Sequence, residues 1–186
     1  MLQIPPIPPW EAAHPLFVHF PIALLFLSPL FILISAIMAP PKGRPYMISA
    51  LIILFLGTAG LFLAAAAGEA AATQVSPTSA AAAVLETHEE FAERSEIVFS
   101  GLSVILLGIV VIPRIMRHQD VRLTTTFMPL SFLILYAVGI LYLVNTAHAG
   151  GRLVHEFGVH AAAPAGNTQM GVSLPTGRSA SRVSAH

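Results

Sequence analysis

Four long segments of the chain contain no charged residue, and more polar stretches separate them. They are residues 16–38, 47–67, 97–112 and 124–144. Each is close to the length of about 20 apolar residues that crosses the hydrocarbon part of a bilayer. A backbone in lipid must satisfy its own hydrogen bonds, and no alternating barrel strands are seen, so each segment is predicted to be a helix. The pattern therefore predicts an all-α integral membrane protein, a bundle of four transmembrane helices.

Local sequence signals refine the helix bounds. Residues 79–96 are rich in Ala, Glu and Leu, which favour helix, and Thr78 is a suitable N-cap residue. We predict helices over about 16–38, 47–67, 79–116 and 124–148, with the third helix extending well beyond the membrane. Pro21, Pro29 and Pro129 fall within the first and fourth helices, where they predict a kink or a helix start.

Segments of biased composition flank the membrane domain. Residues 1–13 are rich in proline and predict an extended surface arm, with Trp10 at the membrane interface. Residues 161–186 are rich in Ala, Gly, Ser and Pro, and such a segment cannot bury a core of its own. We divide the chain into this arm, a membrane domain over residues 14–160, and a tail. The arm and tail are predicted to contact other membrane subunits of a larger complex.

Charge predicts the orientation in the membrane. Only 10% of the residues are charged, and nine basic residues balance nine acidic ones, so the chain has no basic excess that would indicate nucleic acid as a partner. Five basic residues lie in the first and third connections, which are short: Lys42, Arg44, Arg114, Arg117 and Arg122. Because basic short loops stay in the cytoplasm, both termini are predicted on the extracytoplasmic side of the cell inner membrane. The acidic second connection lies on the same side.

Histidine is the candidate chemistry of this chain. Six of its eight histidines fall on the predicted extracytoplasmic side: His14, His19, His88, His148, His155 and His160. His118 lies on the cytoplasmic side. A histidine among apolar residues is costly without a partner. Cysteine is absent, which excludes disulfides, thiolate metal sites, iron–sulfur clusters and covalently attached haem.

A b-type haem fits this histidine cluster, because it needs no cysteine and is held by axial histidines of facing helices. The candidate ligands are His14, His19, His88 and His148, for one or two haems. His14 and His19 are about 140° apart around a helix and cannot both closely face one partner. The estimated height above the membrane centre pairs His14 best with His148.

Two alternatives also fit the sequence. In one, the protein binds or transports a transition metal without haem, using His88 with Glu86, Glu89 or Glu93 and a histidine of another helix, His14 or His148. In the other, the histidines only bond backbone carbonyls near the interface, and the chain is a structural subunit without a cofactor. The chain has no catalytic triad, phosphate loop or dinucleotide fingerprint, so hydrolysis is not predicted.

The opening HPLFVHFPIALL at residues 14–25 resembles that of a bacterial membrane protein family, domain of unknown function 2231. That family typically has an HPxxVHFPIAL start, four predicted helices, a histidine before the third helix and a closing GGxLVxxxG. This chain has His88 before its third uncharged segment, then Gly150-Gly151-Arg152-Leu153-Val154 and Gly158. The resemblance covers roughly residues 14–160, and family members are sometimes joined to c-type cytochrome domains. It implies haem binding, and hence a cytochrome b-like subunit carrying electrons between the quinone pool and an extracytoplasmic cytochrome c.

Overall fold

The computed structural model describes residues 7–38, 40–118 and 121–159 of the chain. Its four long helices are α1 (His14–Ile37), α2 (Arg44–Ala72), α3 (Ser79–Ile115) and α4 (Met128–His155). A short 3-10 turn, Trp10–Ala12, precedes α1, and a π-helical turn, Leu123–Phe127, leads into α4. All four long helices are long and apolar enough to cross a membrane, and the described ranges contain no strand. The predicted all-α membrane fold is confirmed. The tail, with His160 and His186, lies outside the described residues.

Two helices run further than the uncharged segments predicted. Helix α2 continues to Ala72 instead of residue 67, and α4 continues to His155 instead of residue 148. An uncharged segment marks only the part of a helix that fits in lipid, whereas strong helix formers such as the alanines before Ala72 propagate the helix into water. Helix α3 starts at Ser79, where the Thr78 hydroxyl accepts a hydrogen bond from the Ala81 N–H.

The helices form two hairpins that pack side by side. Helix α1 packs along α2 and α3 along α4, while the contacts of α2 with α3 and of α1 with α4 are less extensive. The starts of α1 and α3 therefore meet the ends of α2 and α4 at one end of the bundle. We call this the histidine end. The opposite end carries the basic connections and is called the basic end.

The middle of the bundle is closely packed. Leu25, Leu54 and Phe99 are fully buried there, among side chains from all four helices. Glycine allows this contact between α1 and α2, because a Cβ atom on Gly57 would lie 2.8 Å from Leu25 Cδ2. Large apolar side chains cover the outside of the helices, as expected of a surface that faces lipid.

Buried hydroxyl groups join the helices within this packed region. The Tyr136 hydroxyl donates to the Leu25 carbonyl at 2.7 Å, which links α4 to α1. The Thr58 and Ser103 hydroxyls lie 3.1 Å apart and link α2 to α3. Interhelical hydrogen bonds of this kind contribute to the association of membrane helices.

Candidate cofactor site

The two hairpins leave a cavity of about 920 Å³ between them at the histidine end. All four helices contribute to its wall. The apolar part includes Ile22, Leu61 and Leu143, which belong to the uncharged segments. Six glutamates of α2 and α3 form a border that we call the acidic rim: Glu69, Glu86, Glu89, Glu90, Glu93 and Glu96. The volume is in the upper part of the range of about 300–1,000 Å³ that small-molecule and cofactor sites occupy.

His14, the first residue of α1, lies against α2. Its Nδ1 atom is 2.7 Å from the carbonyl oxygen of Ala64. One helical turn further along α2 is Gly68, where a Cβ atom would lie 3.0 Å from the same Nδ1 atom. The absence of a side chain at Gly68 therefore lets the imidazole reach the carbonyl of the preceding turn.

His88 makes the same arrangement in the other hairpin. Its Nδ1 atom is 2.8 Å from the carbonyl oxygen of Thr146 on α4. Gly150 follows Thr146 by four residues, and a Cβ atom there would lie 3.0 Å from His88 Cε1. Each hairpin thus holds one imidazole against its second helix, between a carbonyl and a glycine spaced one turn apart.

The two imidazoles meet across the bundle with one nitrogen of each left available. Their ring centres lie 6.4 Å apart and their planes are nearly perpendicular, at 88°. A backbone carbonyl can only accept, so Nδ1 of both His14 and His88 must donate its proton to it. In a neutral imidazole, Nε2 then carries a lone pair. Ligating histidines in metalloproteins are oriented by the same type of outer hydrogen bond.

The environment of His88 favours its neutral form. His88 lies in the charged part of α3, nine residues before the uncharged segment begins at Ile97. Burial lowers the pKa of His88 below its ordinary value, against the opposite effects of the Thr146 carbonyl and the Glu89 charge. The nearby His14 lowers the pKa further. A neutral imidazole is the form that binds a metal ion.

The structure places the other predicted ligands away from this pair. The exposed His19 donates from Nδ1 to the Pro15 carbonyl of its own helix at 2.8 Å. His148 is exposed, and neither residue lines the cavity. His155, at the end of α4, is exposed as well. Height alone favoured His148 as the partner of His14, but the rotation of α3 and α4 about their axes turns His88 inward and His148 outward.

The glutamates near His88 do not complete a metal-ligand set with it. Among residues 7–38, 40–118 and 121–159, no group of three or more histidine, aspartate or glutamate side chains is arranged to hold a metal ion. Glu86, Glu89 and Glu93 line the cavity, but they are not gathered with His88 around one point. The site therefore offers a pair of neighbouring imidazoles rather than a three-ligand metal centre.

Sequence reasoning missed the groups that orient the two imidazoles. The Ala64 carbonyl lies 50 residues after His14, and the Thr146 carbonyl lies 58 residues after His88. A backbone acceptor has no signature in the sequence. A glycine in an apolar helix, such as Gly68, usually indicates only a close approach of helices. One sequence signal was available. Gly68 and Gly150 each lie near the histidine end of a helix, and the helix before each of them contains His14 or His88.

The match to known families covers this whole region. A family model described as predicted membrane protein, DUF2231, matches residues 11–163, which include all four helices and both imidazoles of the cavity. The chain belongs to this family. None of the curated proteins and none of the solved structures matches the chain. The resemblance predicted from the opening and closing motifs is confirmed, together with the multi-pass membrane character of the chain.

Proposed function

We propose that this family member is a membrane-embedded b-type haem protein whose iron is held by His14 and His88. The supporting observation is the pair of imidazoles from two different hairpins, each bonded to a backbone carbonyl and 6.4 Å apart between ring centres. A metal–nitrogen bond is about 2.0 Å long, so a ring-centre separation of this size would leave room for one metal ion between the two imidazoles.

The surroundings of the pair also fit a haem. The cavity of about 920 Å³ has apolar walls from the uncharged helix segments, and haems in helical bundles lie between facing helices in such surroundings. When bound, a haem supplies reversible one-electron chemistry. The protein's own residues orient the ligands and exclude water from the apolar side of the cavity. Because His19 and His148 do not line this cavity, the proposal narrows to one haem and one ligand pair.

The acidic rim supports a cationic redox partner. The charged part of α3 contains five glutamates and one arginine, Arg94, which pairs with Glu90. The rim is therefore acidic overall. A surface of one sign speeds association with a partner of opposite sign. We propose an extracytoplasmic c-type cytochrome with a basic face as that partner. The association rate should fall several-fold in a Glu89→Gln/Glu93→Gln variant at low salt, and an unchanged rate would contradict this role.

A membrane quinone is the proposed partner on the other side of the electron transfer. Ile22, Leu61 and Leu143 place the apolar part of the cavity within the uncharged helix segments, where a quinone diffuses. The chain would then be one subunit of a larger complex that passes electrons from quinol to cytochrome. Reduction of the purified, haem-loaded protein by a quinol should be measurable by stopped-flow absorption, and a haem that no quinol reduces would remove this step.

We propose that the histidine end lies on the extracytoplasmic side of the inner membrane. The basic connections support this orientation, because Lys42 and Arg44 lie at the opposite end of the bundle. Single cysteines at positions 42 and 73 can be labelled in intact cells with a membrane-impermeant reagent. Labelling should occur at position 73 only, and labelling at position 42 would reverse the orientation.

A reduced-minus-oxidised absorption spectrum of the purified protein tests the haem directly. We expect the Soret and α bands of a six-coordinate b-type haem, with one haem per chain by the pyridine haemochrome assay. A colourless protein that contains stoichiometric metal would favour the non-haem alternative. A colourless and metal-free protein, which also fails to take up added haem, would leave only a structural role.

A further inference from the structure

We propose that Gly68 and Gly150 are positioning residues that hold the two ligand planes crossed, by letting each imidazole reach a carbonyl on the neighbouring helix. The effect of the crossed rings on iron rests on the haem proposed between His14 and His88, whereas the contacts of the glycines with the imidazoles do not depend on haem. It assigns a specific role to two glycines at the outer ends of α2 and α4. Helix packing alone would not require that role.

The two glycines contact the same edge of their imidazoles. A Cβ atom on Gly68 would lie 3.0 Å from His14 Nδ1 and 3.1 Å from Cε1. A Cβ atom on Gly150 would lie 3.0 Å from His88 Cε1 and 3.2 Å from Nδ1. In both cases the two nearest ring atoms are Nδ1, which makes the hydrogen bond, and the adjoining Cε1.

A methyl group at either position would therefore act on the orientation of the ring. The optimal separation of non-bonded carbon atoms is about 3.5–4.0 Å, so an alanine would push the ring edge away by a few tenths of an ångström. The push falls on the Nδ1 side and lengthens the bond from His14 to the Ala64 carbonyl, or from His88 to the Thr146 carbonyl. Once that bond weakens, the ring tilts and its preferred tautomer is lost.

Because each hairpin fixes its own imidazole, the angle between the rings is set by how the hairpins pack. The planes of His14 and His88 cross at 88°. Axial imidazoles at right angles leave the two π-type d orbitals of a low-spin ferric ion nearly equal in energy, which produces a single signal at large g in electron paramagnetic resonance. Parallel imidazoles separate these orbitals and produce a three-line rhombic spectrum. The crossed arrangement can therefore be measured.

The first test uses the haem-loaded, oxidised protein at low temperature. The wild-type protein should give the large-g signal, and Gly68→Ala and Gly150→Ala should shift it toward the rhombic type with haem content retained. Gly151→Ala is a matched control for α4, and Gly101→Ala is a second control, because a Cβ atom at either position meets no atom within 4 Å. A rhombic wild-type spectrum, or unchanged spectra in both alanine variants, would overturn the inference.

The second test does not require haem. In the full-length chain with ¹⁵N-labelled histidine, NMR should find both His14 and His88 protonated at Nδ1. Gly68→Ala should disturb the tautomer of His14 alone, and Gly150→Ala that of His88 alone. Mixed tautomers at both positions in the wild-type protein would overturn the inference even if an alanine variant failed to fold. A protein with fixed tautomers that takes up no haem would contradict the proposed function and leave the positioning role standing.

Discussion

The packed middle of the bundle and its histidine end use the same kind of bond to different effect. In both regions a side chain of one helix donates to a backbone carbonyl of another, as Tyr136 does to Leu25 and His14 does to Ala64. A hydroxyl group has a single proton, so the bond uses its donor completely. An imidazole has a second nitrogen, which stays available after the first has donated. The same bond therefore completes a core in one region and prepares a ligand in the other.

Glycine shows a parallel contrast between the two regions. In the packed middle, a Cβ atom on Gly139 would lie 3.0 Å from a side-chain carbon of Leu102, so the glycine admits an apolar neighbour. At the histidine end, Gly68 and Gly150 admit imidazoles instead. Close approach of helices is common to both, but only at the histidine end does it leave a large cavity beside the contact.

Loss of either cavity imidazole should abolish the bound haem. His14→Leu and His88→Leu each remove one of two ligands, and the remaining imidazole cannot hold six-coordinate iron alone. We expect the Soret band of the purified variant to disappear or to change to a five-coordinate form. His19→Leu and His148→Leu are the matched controls, since both residues are exposed and outside the cavity wall. Retention of the wild-type spectrum in both His14→Leu and His88→Leu would contradict the role of these imidazoles as haem ligands.

Truncation of a core ring should destabilise the packed middle without removing the site chemistry. Phe99 is fully buried and its ring centre lies 5.6 Å from that of Tyr136. Phe99→Ala is expected to lower the free energy of unfolding by about 3 kcal/mol, measured by reversible denaturation in mixed micelles. Phe62, which is 49% exposed on the lipid-facing surface, is the control. Phe62→Ala should have little effect, and equal losses in both variants would show that the middle is not specially packed.

Mild acid should destabilise the histidine end through His88. Its folded-state pKa lies below its ordinary value, so the unfolded chain binds a proton first as the pH falls. The free energy of unfolding should decrease by up to about 1.4 kcal/mol per pH unit, starting near pH 6.5 and ending at the folded-state pKa. The measurement is denaturation of the haem-free protein between pH 7.5 and pH 5.

Two variants identify the group responsible for this pH dependence. His88→Gln should remove most of it, because glutamine does not titrate, whereas His148→Gln should preserve it. Two other titratable groups affect His88: His14, which faces it from α1, and Glu89, which is its neighbour on α3. Both groups are unchanged in the two variants. The same pH dependence in His88→Gln as in the wild-type protein would assign the effect to another group.

Loss of a single interhelical hydroxyl should have the smallest effect. Tyr136→Phe removes the 2.7 Å bond to the Leu25 carbonyl and keeps the ring in place. Interhelical hydrogen bonds in membrane proteins contribute about 0.6 kcal/mol on average and rarely more than about 1.7 kcal/mol, so a loss in that range is expected. Tyr142→Phe, on the same helix near the cavity, is the comparison. A loss well above this range would contradict the assignment of an ordinary interhelical hydrogen bond to this hydroxyl.

The helices themselves could be predicted from local sequence. Uncharged segments such as 47–67 must be helical in lipid whatever their neighbours do, and Thr78 marks the start of α3 through a hydrogen bond within its own first turn. Successive spans also alternate in direction, so the grouping of His14, His88 and His148 at one end of the bundle follows from their order along the chain. These features depend on whether a segment lies in lipid and on residues close to it along the chain, and both can be inferred from the sequence.

The choice of ligand pair depended on the tertiary structure. Estimated height favoured His148 over His88, and it is the rotation of α3 and α4 that turns His88 rather than His148 toward His14. That rotation is set by the fit of side chains across helix interfaces, such as Phe99 against Gly139. The Ala64 and Thr146 carbonyls that orient the rings carry no side-chain signature. The cavity lies between the two hairpins, whose contacts with each other are less extensive than the contacts within each hairpin. Rotation and backbone acceptors depend on contacts between residues far apart along the chain, from 40 positions for Phe99 and Gly139 to 58 for His88 and Thr146.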